Sequence, residues 1–266
     1  MADDEFYVTL PSNSSVNYYP NNTLSDFTTK LFKPIDLKGD WEVALTEISF
    51  PHSFYNIVEP FNVVRYSGDG SAGSADTITI PPGYYNDLNE LFTTMSDLMN
   101  PLGQTNIKLL LNQNTQKVKI RLKNAAFVQF HPILAAMLGF DEEKQGGAQP
   151  EVLSVYMLKT HEGKLPIDLN AGMYSLYLYT DIIEDQLVGD AFAPLLRIVH
   201  MDKKGPDDVT TRTYQSPHFV KVRMKHFDTI TVRVRRDTGE RIKFQRGKIV
   251  AKLCFRPVRA KYFNKR

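Results

Sequence analysis

Six histidines, a single cysteine, a few adjacent carboxylate pairs and a late crowd of cations are the groups in this chain able to do chemistry. His52, His131, His161, His200, His218 and His226 are dispersed, and no two have the spacing that sets two imidazoles on one helix face for a metal. His131 stands before Pro132, where a turn or helix-capping role explains it. Cys254 excludes an intrachain disulfide and lies out of phase with the apolar residues around it. It reads as a small interface hydrophobe or a poorly exposed thiol, with no base nearby to complete a nucleophilic set. Asp3-Asp4, Glu142-Glu143, Glu184-Asp185 and Asp207-Asp208 sit in polar stretches and read as solvated charge. Acid–base work would require such a pair to be drawn into a cleft. There is no phosphate-binding loop, dinucleotide fingerprint, HExxH, CxxC or nucleophile elbow. The expectation is a chain without cofactor or metal, and not an enzyme.

The cations are the strong feature. Residues 212–266 hold 17 Lys/Arg against 3 Asp/Glu, whereas residues 1–211 hold 15 against 27, and the two halves close to the net +2. The cluster includes Arg233, Arg235, Arg236, Arg241, Lys243, Arg246, Lys248 and Lys252, and ends in Arg256, Arg259, Lys261, Lys265 and Arg266. Such a surface contacts phosphates without reading bases, or docks on an acidic protein surface. The acidic remainder of the same chain, or of a neighbouring copy, is a further partner. No apolar run is long enough to span a bilayer, and the opening MADDEFYV is too acidic for a signal peptide.

The elements that carry these groups alternate with period two. Trp41, Val43 and Leu45 share one face of an extended segment, while Ile48 and Phe50 fall on the other parity. The phase change predicts a central strand with a bulge near Thr46 and Glu47. An edge strand is expected over Phe6–Leu10 and another strand over Phe27–Phe32, ending before Pro34. A strand is also expected over Phe61–Tyr66. Ser67 to Ala75 (SGDGSAGSA) marks a junction. Residues 76–140 then change character. Leu88, Leu91, Phe92, Met95, Leu98 and Met99 form a helical stripe with Asn86 as its cap. A hairpin joins Ile107–Leu111 to Lys117–Leu122, and a short helix follows Pro132 with Gly139 closing it. Asp181 to Asp190 reads as a loop or helical turn. Strands resume over Leu153–Leu158, Gly172–Thr180 and Leu195–His200. Three alternating segments, Val220–Lys225, Ile230–Arg235 and Ile249–Phe255, complete the pattern, and a turn at Arg236–Gly239 leads to a strand over Arg241–Phe244. About eight strands outside the middle unit suit a two-sheet sandwich or jelly roll.

Several strings also resemble a known family, the minor capsid (penton) proteins of Polinton/Maverick-type elements and their adintovirus-like relatives. They are Leu10-Pro11-Ser12-Asn13, Asn21–Lys30 (NNTLSDFTTK), Gly39–Ile48 with Phe50-Pro51, Ile80–Tyr85 (IPPGYY), Leu134–Phe140 (LAAMLGF) and Tyr174–Asp181 (YSLYLYTD). The resemblance spreads over nearly the whole chain and marks fold rather than catalysis. It implies a mainly β protein, a jelly-roll β-sandwich interrupted by a small α+β insertion. Residues 1–66 and 161–256 would form the jelly roll, 67–160 the insertion and 257–266 a basic tail. It implies a structural penton subunit, a homo-pentamer at icosahedral vertices of a virion, beside a double-jelly-roll major capsid protein. Arg256, Arg259, Lys261, Lys265 and Arg266 would then face the capsid interior and touch packaged DNA. A basic nucleic-acid-binding accessory protein is the alternative, and a β-sandwich binding module or enzyme a more distant one.

Overall fold

In the computed structural model the described residues are 5–67, 75–99, 107–123, 126–140, 153–156, 160–170, 173–202 and 208–258. The chain divides into two units, one of Met1–Phe54 with Met173–Arg266 and one of Tyr55–Gly172. Three strands open the first: β1 (Phe6–Pro11), β2 (Asp26–Asp36) and β3 (Trp41–Pro51). Trp41, Val43, Leu45, Ile48 and Phe50 are all buried, although their parity changes midway.

The second unit has its own apolar core. Strands β4 (Val63–Ser67) and β5 (Asp76–Thr79) lead to helix α1 (Leu88–Met99). Its stripe, Leu88, Leu91, Phe92, Met95 and Met99, is buried as the spacing predicts. The cap is Asp87 rather than Asn86: its carboxylate accepts from the Glu90 amide at 2.9 Å, and Glu90 accepts from the Asn86 amide at 2.9 Å. A charged acceptor one residue closer fits the helix N-terminus better than the amide of Asn86. The expected hairpin is β6 (Ile107–Asn112) with β7 (Lys117–Leu122), followed by β8 (Phe127–Phe130) and α2 (Pro132–Met137). His131 caps α2 through Nδ1, and Gly139, at φ +80°, lies just beyond its end. A Cβ at Gly139 would stand 2.1 Å from the Leu165 carbonyl oxygen, so only glycine fits. With β9 (Leu153–Tyr156) and β10 (Thr160–Glu162), the unit holds sheets ordered β5-β4-β8-β9 and β10-β7-β6. Residues 55–66 and 161–170 belong here because β4 pairs with β5 and β8, and β10 with β7.

The first unit resumes with β11 (Ser175–Thr180) and a small hairpin, β12 (Gln186–Val188) and β13 (Ala191–Ala193). Then come β14 (Leu195–His200), β15 (Val209–Thr213), β16 (Val220–Lys221), β17 (His226–Arg235) and β18 (Val250–Pro257). One sheet is ordered β1-β18-β3-β15, with β16 also on β3, and the other β14-β11-β17-β2. Every pairing is antiparallel. Numbering the eight main strands consecutively gives orders 1-8-3-6 and 5-4-7-2, the interleaving of a jelly roll, with the second unit emerging between its third and fourth strands. The architecture is mainly β, as expected. One core cluster draws on both sheets, including Trp41, Leu45, Ile48, Leu178, Val232 and Phe255. Each such fully buried aliphatic side chain contributes about 1.5–3 kcal/mol.

Three register shifts shape these sheets: one leaves Leu196 extra on β14, and two stand on β3 and β2. Lys252 pairs with Glu47 and Leu253 with Leu45, so Thr46 is the extra residue on β3. This is the bulge that the phase change predicts. The Thr46 hydroxyl donates to the Lys252 carbonyl at 3.0 Å, and its carbonyl accepts from the Tyr214 amide at 2.8 Å. On β2, Lys30 pairs with Thr229 and Ile35 with Phe227, so residues 31–34 oppose Asp228 alone. The strand therefore passes Pro34 and continues to Asp36. Proline lacks a donor but is tolerated because β2 is an edge strand and the bulge carries it out of register. Two other expectations change. Alternation over Val220–Lys225 yields only the two-residue β16, and Arg241 to Phe244 form isolated bridges to Arg235 and Phe54 instead of a strand. The turn between, closed by Gly239 N–H to the Arg236 carbonyl at 3.0 Å, forms as expected.

Candidate interaction surface

Strands β17 and β18 place the late cations beside acids from the first two-thirds of the chain. Arg235 and Arg241 close on Asp26 at 2.6 and 2.9 Å, with Arg241 also donating to Thr23 at 2.6 Å. Arg256 Nε donates to Glu42 at 2.6 Å, and its guanidinium lies 3.4 Å above the centre of the Phe219 ring. Arg212 meets Asp202 at 2.5 Å, Lys221 meets Glu184 at 3.3 Å, and Arg223 donates to the Asp181 carbonyl at 2.9 Å. Part of the sequence asymmetry is thus neutralised inside one folded unit. Arg256 is a fork in that network. Arg259, Lys261, Lys265 and Arg266 lie outside the described residues.

A shallow cavity of about 390 Å³ lies on the outer face of the β1-β18-β3 sheet. Glu5, Tyr7, Lys252 and Cys254 line part of it. The Tyr7 hydroxyl donates to Glu5 at 2.7 Å, and that bond, with the neighbouring Cys254, pushes the phenol up to about 12. Burial, then the hydrogen bond to Glu5, pushes the Cys254 thiol up to about 11. Neither group supplies an anionic nucleophile at neutral pH. A second cavity, about 400 Å³, is walled by Tyr18, Tyr19, Asn21 and Arg233 where the 12–23 loop meets β2 and β17. Among the described residues, no three His, Cys, Asp or Glu side chains converge as a metal-binding group. No helix among them is long and apolar enough to cross a membrane.

Large apolar side chains also stand exposed on this unit. Phe32 is 96% exposed at the β2 bulge, and Leu187 and Phe192 are 69% and 75% exposed on the β12–β13 hairpin. Sequence reading missed all three. The period-two strand reading gave no account of Phe32, and the hairpin segment read as a loop or helical turn. The available signal was Gly189-Asp190 between short apolar runs, a two-residue hairpin turn that needs the positive φ of +61° at Gly189.

Comparison with known proteins returns no matching protein family and no curated relative by sequence. Among solved structures, the mavirus penton protein aligns over 96% of this chain and 99% of its own, at 10% identity and a TM-score of 0.53. A chain of the Sputnik virophage, solved by cryo-EM, aligns over 96% of this chain and 98% of its own, at 11% identity and a TM-score of 0.46. The likeness to the mavirus protein is one of fold, and it agrees with the jelly-roll strand order.

Proposed function

We propose that this chain is a structural minor capsid protein, a penton that forms homo-pentamers at the vertices of an icosahedral virion. The supporting observation is the strand order 1-8-3-6 and 5-4-7-2 with a separate unit between the third and fourth strands. That arrangement accompanies the whole-length fold likeness to a penton protein. The motif resemblance to Polinton/Maverick-type pentons points the same way. In this reading the partner in the shell is a double-jelly-roll major capsid protein.

The test is the mass of the purified protein in solution, with negative-stain imaging of any rings. Closed particles of five copies are expected. A protein that stays monomeric at tens of micromolar, with no affinity for a shell protein, would overturn the reading. Contact with packaged DNA is assigned to Arg259, Lys261, Lys265 and Arg266, because Arg256 is engaged with Glu42 and Phe219. Replacing those four by Gln should weaken nucleic-acid retention most at low salt and flatten its dependence on salt. Unchanged retention across salt would remove the DNA contact while leaving the shell role intact.

A further inference from the structure

A closed ring of identical subunits needs two different patches per subunit that fit each other. The sheet β14-β11-β17-β2 has two such features at its opposite edges. Edge strand β2 throws out the bulge of residues 31–34, with Phe32 at 96% exposure and Lys33 exposed beside it. The β12–β13 hairpin leaves the sheet just before the other edge strand, β14. Leu187 and Phe192 are directly opposed in its register and so share a face. The two features also stand at the same end of the sandwich. Asp36 pairs with His226 at the start of β17; β11 runs antiparallel to β17 and ends at Thr180 opposite Val232, so the chain, with Asp181 accepting from the Thr231 amide, leaves it toward that same end.

Their charges are complementary. Asp185 precedes the hairpin and Asp190 lies in its turn, and among the described residues neither has an ion-pair partner; Glu184, beside Asp185, meets Lys221. Lys33 and Lys225 lie on the bulge side, where Leu37 N–H bonds to the Lys225 carbonyl, and among the described residues neither lysine has an ion-pair partner; the acids there, Asp36 and Asp228, are already paired with His226 and Lys30. Large exposed apolar anchors with charge of one sign around one and the other sign around its counterpart are the composition of a specific contact.

We propose that the β12–β13 hairpin of one copy docks on the β2 bulge of the next, Leu187 and Phe192 packing against Phe32 and Asp185 and Asp190 facing Lys33 and Lys225. This rests on the penton reading for ring closure, and it names the surfaces that close the ring.

Lys33→Cys and Asp190→Cys chains, which keep Phe32, Leu187 and Phe192 in place, treated with a short bis-maleimide, provide the test. The native thiol of Cys254 is buried and does not compete. Each single variant alone should give no crosslink, their mixture should give a crosslinked dimer, and a chain carrying both changes should give a ladder ending at five. Separately, Phe192→Asp should weaken each junction about 30-fold or more, as loss of an interface anchor does. If the wild type forms rings but the mixture does not crosslink, the proposed surfaces are wrong and the penton reading stands. If the mixture crosslinks but no ring of five forms, the surfaces stand and five-fold closure falls. Neither rings nor crosslinks would overturn both.

Discussion

Two bulges in the same sandwich do opposite work. The one on β3 sits between two neighbouring strands, and its extra residue, Thr46, has its carbonyl and hydroxyl bonded to both sides. Its effect is inward: it turns Leu45 and Ile48, three residues apart, into the same core, each with no exposure. The one on β2 lies at an edge, with only one neighbour. It keeps Leu31 and Ile35 packed against the core and sends Phe32, between them, into solvent. A bulge with strands on both sides is held to the core's needs, whereas an edge bulge is free to present a side chain.

That contrast breaks first at the centre. Ile48→Ala should cost roughly 2–5 kcal/mol of unfolding free energy, because the cavity opens among close-packed neighbours. Chemical denaturation measures it, and a loss comparable to a surface change would sink the claim that the β3 bulge serves the core. Thr46→Val keeps the shape and removes the hydroxyl bond to the Lys252 carbonyl. A loss of about 0.5–1.5 kcal/mol is expected in the same assay. Phe32→Ala should change the stability of the isolated subunit by less than about 0.5 kcal/mol. A drop of the size seen for Ile48 would mean that the β2 bulge, too, holds the fold.

The smallest effect depends on pH. Asp36 and His226 bracket the outer bulge with a 2.5 Å contact, and the hydrogen bond to Asp36, aided by its charge, raises the His226 pKa above 6.5. The folded value exceeds the unfolded one, so this stabilisation is complete below 6.5 and fades as pH rises through the raised value. On the other flank Lys30 pairs with Asp228 and holds that carboxyl below 3.8. Its contribution is present above 3.8 and is lost as pH falls through the lowered value. A proton-resonance titration of His226 in the wild type and in Asp36→Asn checks the first. Midpoints that coincide would show that the pair does nothing.

The two bulges also differ in how readable they were. Thr46 announced itself because Trp41, Val43, Leu45, Ile48 and Phe50 are strong apolar markers whose phase visibly slips. The α1 stripe and the hairpin of β6 and β7 were equally plain, being local patterns. At β2, Pro34 looked like a stop, because its tolerance depends on the strand being at an edge, which is decided by pairing with β17 nearly two hundred residues away. The cationic cluster was legible as charge but not as surface. Asp26, Glu42 and Glu184 are brought to Arg235, Arg256 and Lys221 only by the interleaved sheets. The exposed hairpin escaped notice because three-residue strands carry too little alternation to register.

The position of β18 has a consequence for biosynthesis. It is the last of the described strands to leave the ribosome, yet it lies between β1 and β3, joining Phe6 to Phe255 on one side and Val43 to Phe255 on the other. Until it emerges, two strand edges and the apolar floor beneath them wait open, while Tyr55–Gly172, with a core of its own, has already been made. Translation itself thereby sets a checkpoint: a product cut short before Val250 lacks the middle of a sheet, and only a chain that includes β18 can close it.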